Sequence, residues 1–122
     1  MILADTSVWI DYFRSGNREM QKALNQGQIV MHPWVVAELA LGSLRDRTGT
    51  LAMLDLLPEA QVAQLSELRR MIESRRLYSL GMGLIDIQLI ASVFLSPPTR
   101  LWTRDKPLRR VAEGLGIHAK LP

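Results

Sequence analysis

Residues 1–13 read MILADTSVWIDYF, and the apolar run Ile2-Leu3-Ala4 ending in Asp5 decides how the rest of the chain is read. If Ile2 to Ala4 is a short buried strand, Asp5 is delivered to its carboxyl end, inside the fold or at the mouth of a cleft. A buried charge is costly unless something pairs with it. The remainder of the sequence must therefore supply a partner for Asp5.

Outward from this strand, the pattern alternates. Residues 7–13 predict a short helix capped by Thr6 or Ser7. Residues 17–26 predict an amphipathic helix with Asn17 as N-cap and Gly27 at its end. QIVMH (28–32) predicts a second strand, and Pro33 suits the first turn of a helix in PWVVAELALGSL (33–44). A helix over 50–56 is stopped by Pro58. Residues 60–77 then place Val62, Leu65, Leu68 and Ile72 on one helical stripe. LIDIQLIASVFL (84–95) is apolar on almost every side, the pattern of a central buried helix, and Pro97-Pro98 ends it. RLWT (100–103) predicts a strand, KPLRRVAEGLG (106–116) a helix and IHAKL (117–121) a last strand. Strands alternating with helices predict an α/β fold with a small, mainly parallel central sheet.

The chain has 122 residues, nearly half of them hydrophobic, which is expected to form a single domain over 1–122 with a sizeable core. Without cysteine there are neither disulfides nor thiolate metal sites, which fits a reducing compartment. No signal-peptide pattern and no membrane span is present, so a cytoplasmic location is expected. The net charge is +3 and the sequence pI about 9.8. Basic residues gather at Arg69, Arg70, Arg75 and Arg76, and again at Arg100, Arg104, Lys106, Arg109 and Arg110. The first group reads as a solvated helical face. The whole balance permits an acidic partner such as nucleic acid.

Of the twelve acids, eight sit among polar neighbours. The other four are Asp5, Glu38, Asp86 and Asp105. Glu38 has Val35 three before it and Leu41 three after it, which puts it on or beside an apolar helix face. Asp86 lies in the first turn of its helix, on the stripe continued by Leu89, Ile90 and Val93. Asp105 follows the strand RLWT as Asp5 follows ILA. Each alone has a structural reading: a cap, an ion pair, a dipole charge, a turn. Together they point to the crevice at the carboxyl ends of an open α/β sheet. Carboxylates converging there raise one another's pKa or require a counter-ion. An all-oxygen set favours Mg²⁺ or Mn²⁺, completed by substrate oxygens, as a phosphodiester-processing site would be.

The segments LADTSVWIDYF, HPWVVAELALG, MGLIDIQLIASV and LWTRDKPL resemble, in order, the motifs of PIN-domain ribonucleases. More narrowly, they resemble the VapC-type toxins of bacterial toxin–antitoxin pairs. The resemblance runs from Ile2 to Leu108. It implies a three-layer α/β/α sandwich. It also implies that Asp5, Glu38, Asp86 and Asp105 hold one or two Mg²⁺ or Mn²⁺ ions, supported by Thr6 or Ser7 and by Thr103. It further implies an RNA substrate, a homodimer, and a small antitoxin whose C-terminal segment covers the site. Many PIN domains place another acid or asparagine just after the last aspartate. Here Lys106, Pro107 and Leu108 follow, which implies a weaker fourth ligand or a single-metal site.

The chemistry expected is hydrolysis of RNA by a water that a metal acidifies. Asp5, Glu38 and Asp86 would be direct ligands, and Asp105 direct or through water. Arg104 and Lys106 flank Asp105 and would contact RNA phosphate. His32 and His118 read as structural. Trp9 and Tyr12 could stack bases, but aromatics at this spacing more often belong to a core or a dimer contact. Leu51, Leu54 and Leu57 could build a partner surface or the core. Two rival classes use similar acids: an aspartyl phosphatase or receiver-like phosphoryl acceptor, and a non-enzymatic partner-binding module. The phosphatase pattern wants a second acid where Ser7 stands.

Overall fold

The computed structural model describes all residues from Met1 to Pro122. The elements run β1 (Ile2–Ala4), α1 (Thr6–Ser15), α2 (Arg18–Asn25), β2 (Ile29–Val30), α3 (Pro33–Ala40) and α4 (Arg47–Asp55). They continue with α5 (Leu65–Arg75), α6 (Leu84–Leu95), β3 (Arg100–Trp102) and α7 (Lys106–Gly114). The sheet is parallel, in the order β2-β1-β3. Ile2 and Leu3 stand opposite Ile29 and Val30 on one side, and Leu3 and Ala4 opposite Leu101 and Trp102 on the other. This is the α/β sandwich expected, with most of its mass in helices.

Parallel strands buried on both faces read as apolar runs. Leu3, Ala4, Leu101 and Trp102 are all completely buried. Helix α6 supplies most of the remaining centre, with every residue from Ile87 to Val93 buried. Leu54 of α4 joins the core, with Leu51 and Leu57 packed against it. Trp9 also lies in that core, fully buried, edge-on to Tyr12, so it has no face for a base and the stacking reading of Trp9 fails.

Both sheet edges are closed by single bridges, Met31 to Glu59 and Leu101 to His118. Short covering segments of this kind block edge-to-edge pairing. The last strand expected over 117–121 is therefore reduced to one bridge. Its backbone is held by Leu101 N–H to Ile117 O and Ala119 N–H to Leu101 O, each 2.8 Å.

The helix expected over 60–77 begins only at Leu65. Tertiary bonds hold the preceding residues extended. Ala60 N–H donates to Met31 O at 2.8 Å. Gln88 of α6 receives Ala63 N–H at 2.7 Å and donates to Ala63 O at 3.0 Å. The hydroxyl of Ser92 donates to Gln61 O. Val62 is left 44% exposed, off the stripe to which its spacing assigned it. Helix α4 begins at Arg47 rather than residue 50, because Asp46 caps it. Helix α3 ends at Ala40.

Candidate active site

Asp5, rather than Thr6 or Ser7, is the N-cap of α1. Its Oδ1 accepts Val8 N–H at 3.3 Å and the Ser7 hydroxyl at 2.5 Å. Its Oδ2 accepts the hydroxyl of Thr103, which follows β3. Asp5 is 5% exposed. Burial pushes its carboxyl up from the ordinary value of 3.8. The bonds from Ser7, Thr103 and Val8 oppose that rise, and the negative charge of Asp86 adds to it.

The same hydroxyls tie the strand ends together. Thr103 Oγ1 accepts Asp105 N–H at 3.0 Å, and Ser7 Oγ accepts Arg104 N–H at 3.1 Å. Asp105 caps α7, its Oδ2 accepting Leu108 N–H at 3.1 Å. On α3, Glu38 Oε1 accepts the hydroxyl of Thr6. At the start of α6, Asp86 Oδ2 accepts Gly83 N–H at 2.9 Å. Burial pushes the Asp86 carboxyl up. Gly83 opposes the rise, and the charges of Asp105 and Glu38 add to it. Asp86 thus links the four, feeling the charges of Asp105 and Glu38 and adding its own to Asp5.

The four acids therefore lie within electrostatic reach of one another through Asp86, with Asp5 and Asp105 just past the carboxyl ends of β1 and β3. No cation of the chain pairs with any of them. The two ion pairs are Arg104 to Asp11 at 2.6 Å and Arg109 to Glu113 at 3.1 Å. Four carboxylates without a cation partner, Asp105 exposed and the other three buried or half-buried, fit a hard divalent ion by charge and donor type. Yet no three of them stand close enough together to enclose one. Each is turned instead onto donors of the chain itself, so binding an ion requires their side chains to re-aim.

Arg104 stands where the sequence put it, beside Asp105, but its guanidinium is engaged. Nη1 bonds Asp11 and Nε donates to Pro122 O at 3.0 Å. Lys106 is exposed in the first turn of α7 and forms no ion pair. His32 caps α3, its Nδ1 accepting Trp34 N–H at 3.0 Å, and burial pushes its imidazole down. His118 makes the same turn with Lys120 N–H at 3.0 Å.

A groove of about 490 Å³ opens from Glu38 between α1 and the α3–α4 connection, walled by Ile10, Phe13, Arg14 and Arg45 among others. Sequence reading missed it. Its trace was the i, i+3, i+4 spacing of Ile10, Phe13 and Arg14 on one face of α1.

The PIN domain family profile matches residues 2–114. Ribonuclease VapC32 of Mycobacterium tuberculosis, from strain CDC 1551 / Oshkosh, is 39% identical over 117 residues, which is 96% of this chain and 94% of that protein. Ribonuclease VapC32 of strain ATCC 25618 / H37Rv matches to the same extent. No helix here is long and apolar enough to cross a membrane. By its profile match and its near-full-length likeness to these relatives, the chain belongs to the PIN-domain family, as a VapC-type member.

Proposed function

We propose that the protein is a ribonuclease toxin of a toxin–antitoxin pair, hydrolysing phosphodiester bonds of RNA at the crevice of Asp5, Glu38, Asp86 and Asp105. What supports this reading is the electrostatic influence that four carboxylates exert on one another through Asp86, with no cation of the chain paired to any of them. A bound Mg²⁺ or Mn²⁺ would acidify water and neutralise phosphate charge there.

The chain's own residues do the rest. Asp5, Glu38, Asp86 and Asp105 are the ligand set. Thr103 and Ser7 hold both oxygens of Asp5 in place and lock its strand to the segment carrying Asp105. Thr6 orients Glu38. Lys106, exposed beside Asp105, contacts a phosphate of the strand. Arg104 does so only by exchanging Asp11 for that phosphate, two acceptors of similar geometry for a guanidinium fork. The 122 residues act as one domain, in a cytoplasmic homodimer. An antitoxin segment covers the crevice to keep it silent. Leu41 and Leu56, 89% and 86% exposed at the ends of α3 and α4, suit such protein contacts.

The test is incubation of antitoxin-free protein with structured cellular RNA, with Mg²⁺, with Mn²⁺ and with chelator, beside Asp86→Ala. Discrete fragments that require metal and vanish in the variant are expected. Intact RNA in every lane from folded protein would refute the reading.

A further inference from the structure

We propose that the groove between the outer edge of β3 and α7 is a second RNA-backbone site, which holds the strand away from the acids. The identity of the strand rests on the nuclease reading above.

The groove has a volume of about 670 Å³, with Arg100, Arg109, Glu113, His118 and Lys120 on its wall and a single apolar residue, Leu121. Its side chains bring three cations against one carboxylate. Arg109 Nε is paired with Glu113 at 3.1 Å, and Arg100 Nη1 donates to Gly116 O. A guanidinium carries five N–H donors, so both arginines keep donors for a phosphate while these bonds fix their planes. Lys120 has no partner. It sits at φ 59°, a conformation uncommon outside glycine, and the His118 imidazole holds that turn through Lys120 N–H at 3.0 Å.

The groove is also tied to the acids through β3 and a chain of hydrogen bonds. Arg100 begins the strand that leads to Thr103, three residues on, or ~10 Å at ~3.3 Å per residue. At its near end the Pro122 carbonyl is held by Arg104, whose N–H bonds Ser7, which bonds Asp5. A cationic groove beginning one short strand from the acids matches a phosphate backbone.

The experiment measures binding of a labelled single-stranded RNA in chelator, by fluorescence anisotropy between about 50 and 200 mM salt, for the parent, Lys120→Gln, and the double variant Arg100→Gln, Lys120→Gln. Each lost phosphate contact should flatten the log–log salt dependence by about 0.7. Lys120→Gln should therefore lose about one such step and the double variant about two, with affinity down roughly 3- to 10-fold. Lys120 bonds nothing through its side chain, so its variant should melt like the parent and should still cut a short RNA that reaches only the acids. An unchanged salt dependence in a parent that cuts RNA would overturn the groove and leave the nuclease standing. A flattened dependence in a parent that cuts nothing would sustain the groove and remove the nuclease. A parent that binds no RNA overturns both. Tighter binding of polyglutamate than of RNA, lost in both variants, would give the groove to an acidic protein segment and end the RNA assignment.

Discussion

Replacing Asp5 by asparagine should inactivate the protein and make it more stable. The sign comes from the raised carboxyl of Asp5, which means that burial outweighs the three bonds made to its charged form. The folded state then holds a proton more readily than the unfolded state does. The stability at stake is fully present at low pH, and is lost as pH rises from the ordinary 3.8 through the raised value. At pH about 7 the ionised side chain is a cost that asparagine removes.

The amide keeps what matters locally. Its oxygen still accepts from Val8 and Ser7, and asparagine is as good an N-cap as aspartate. Its NH₂ meets the Thr103 hydroxyl, which must turn from donor to acceptor, for a loss of about 1 kcal/mol. Relief of a buried charge is worth several kcal/mol before hydrogen bonds are counted. A net gain of about 1 kcal/mol is expected, which raises Tm by about 4 °C for a chain of this length. Asp5→Ala sheds the same charge but gives up the bonds that asparagine keeps, and should melt below Asp5→Asn. It loses the cap, about 1 kcal/mol, and leaves the buried Thr103 hydroxyl without its acceptor, another 1 to 3 kcal/mol or so.

Scanning calorimetry of parent, Asn and Ala proteins, in chelator, at several pH values between about 4 and 8, would measure both. The advantage of the Asn variant should be largest at neutral pH and shrink on acidification, as the parent takes up its proton. RNA cleavage should be absent in both variants. An Asn protein that melts below the parent at neutral pH would refute the electrostatic argument. An Asn protein that still cuts RNA would refute the role of Asp5.

Thr103→Val keeps the shape but strips the donor from Asp5 and the acceptor from Asp105 N–H. It should cost about 2 kcal/mol and shift the acid limb of the cleavage pH profile to higher pH, because Asp5 is held higher still; an unmoved limb would deny Thr103 its supporting role. Gln88→Leu should cost about 2 to 3 kcal/mol in thermal unfolding, since it leaves both polar groups of buried Ala63 unpaired. Its cleavage rate, measured well below Tm, should match the parent, and a matching loss of rate would tie the 59–64 segment to the crevice.

Much of this molecule was legible in its sequence because its signals are local. An apolar tripeptide ending in aspartate predicts both β1 and the position of Asp5. The capping pattern at Asn17 and Pro33 marks two helix starts, and the unbroken apolar surface of 84–95 gives α6 to the residue. Three of the acids stood out because each interrupts an apolar pattern, and Asp105 because it follows a strand as Asp5 does. Periodicity failed at 60–64, where a glutamine and a serine on α6 hold a helix-patterned segment extended. It failed again at 117–121, where one bridge and a histidine turn replace a strand.

Only the tertiary structure decided how the acids are served. Thr103 reaches Asp5 from 98 positions away, Arg104 turns to Asp11 on α1, and Arg100 and Lys120 come to line one groove at the edge of the sheet. Those pairings depend on which strands lie side by side. The chain names the groups that carry the chemistry, because burying a charge in an apolar run leaves a local mark. Which groups meet is set by a sheet order, β2-β1-β3, that no local spacing encodes.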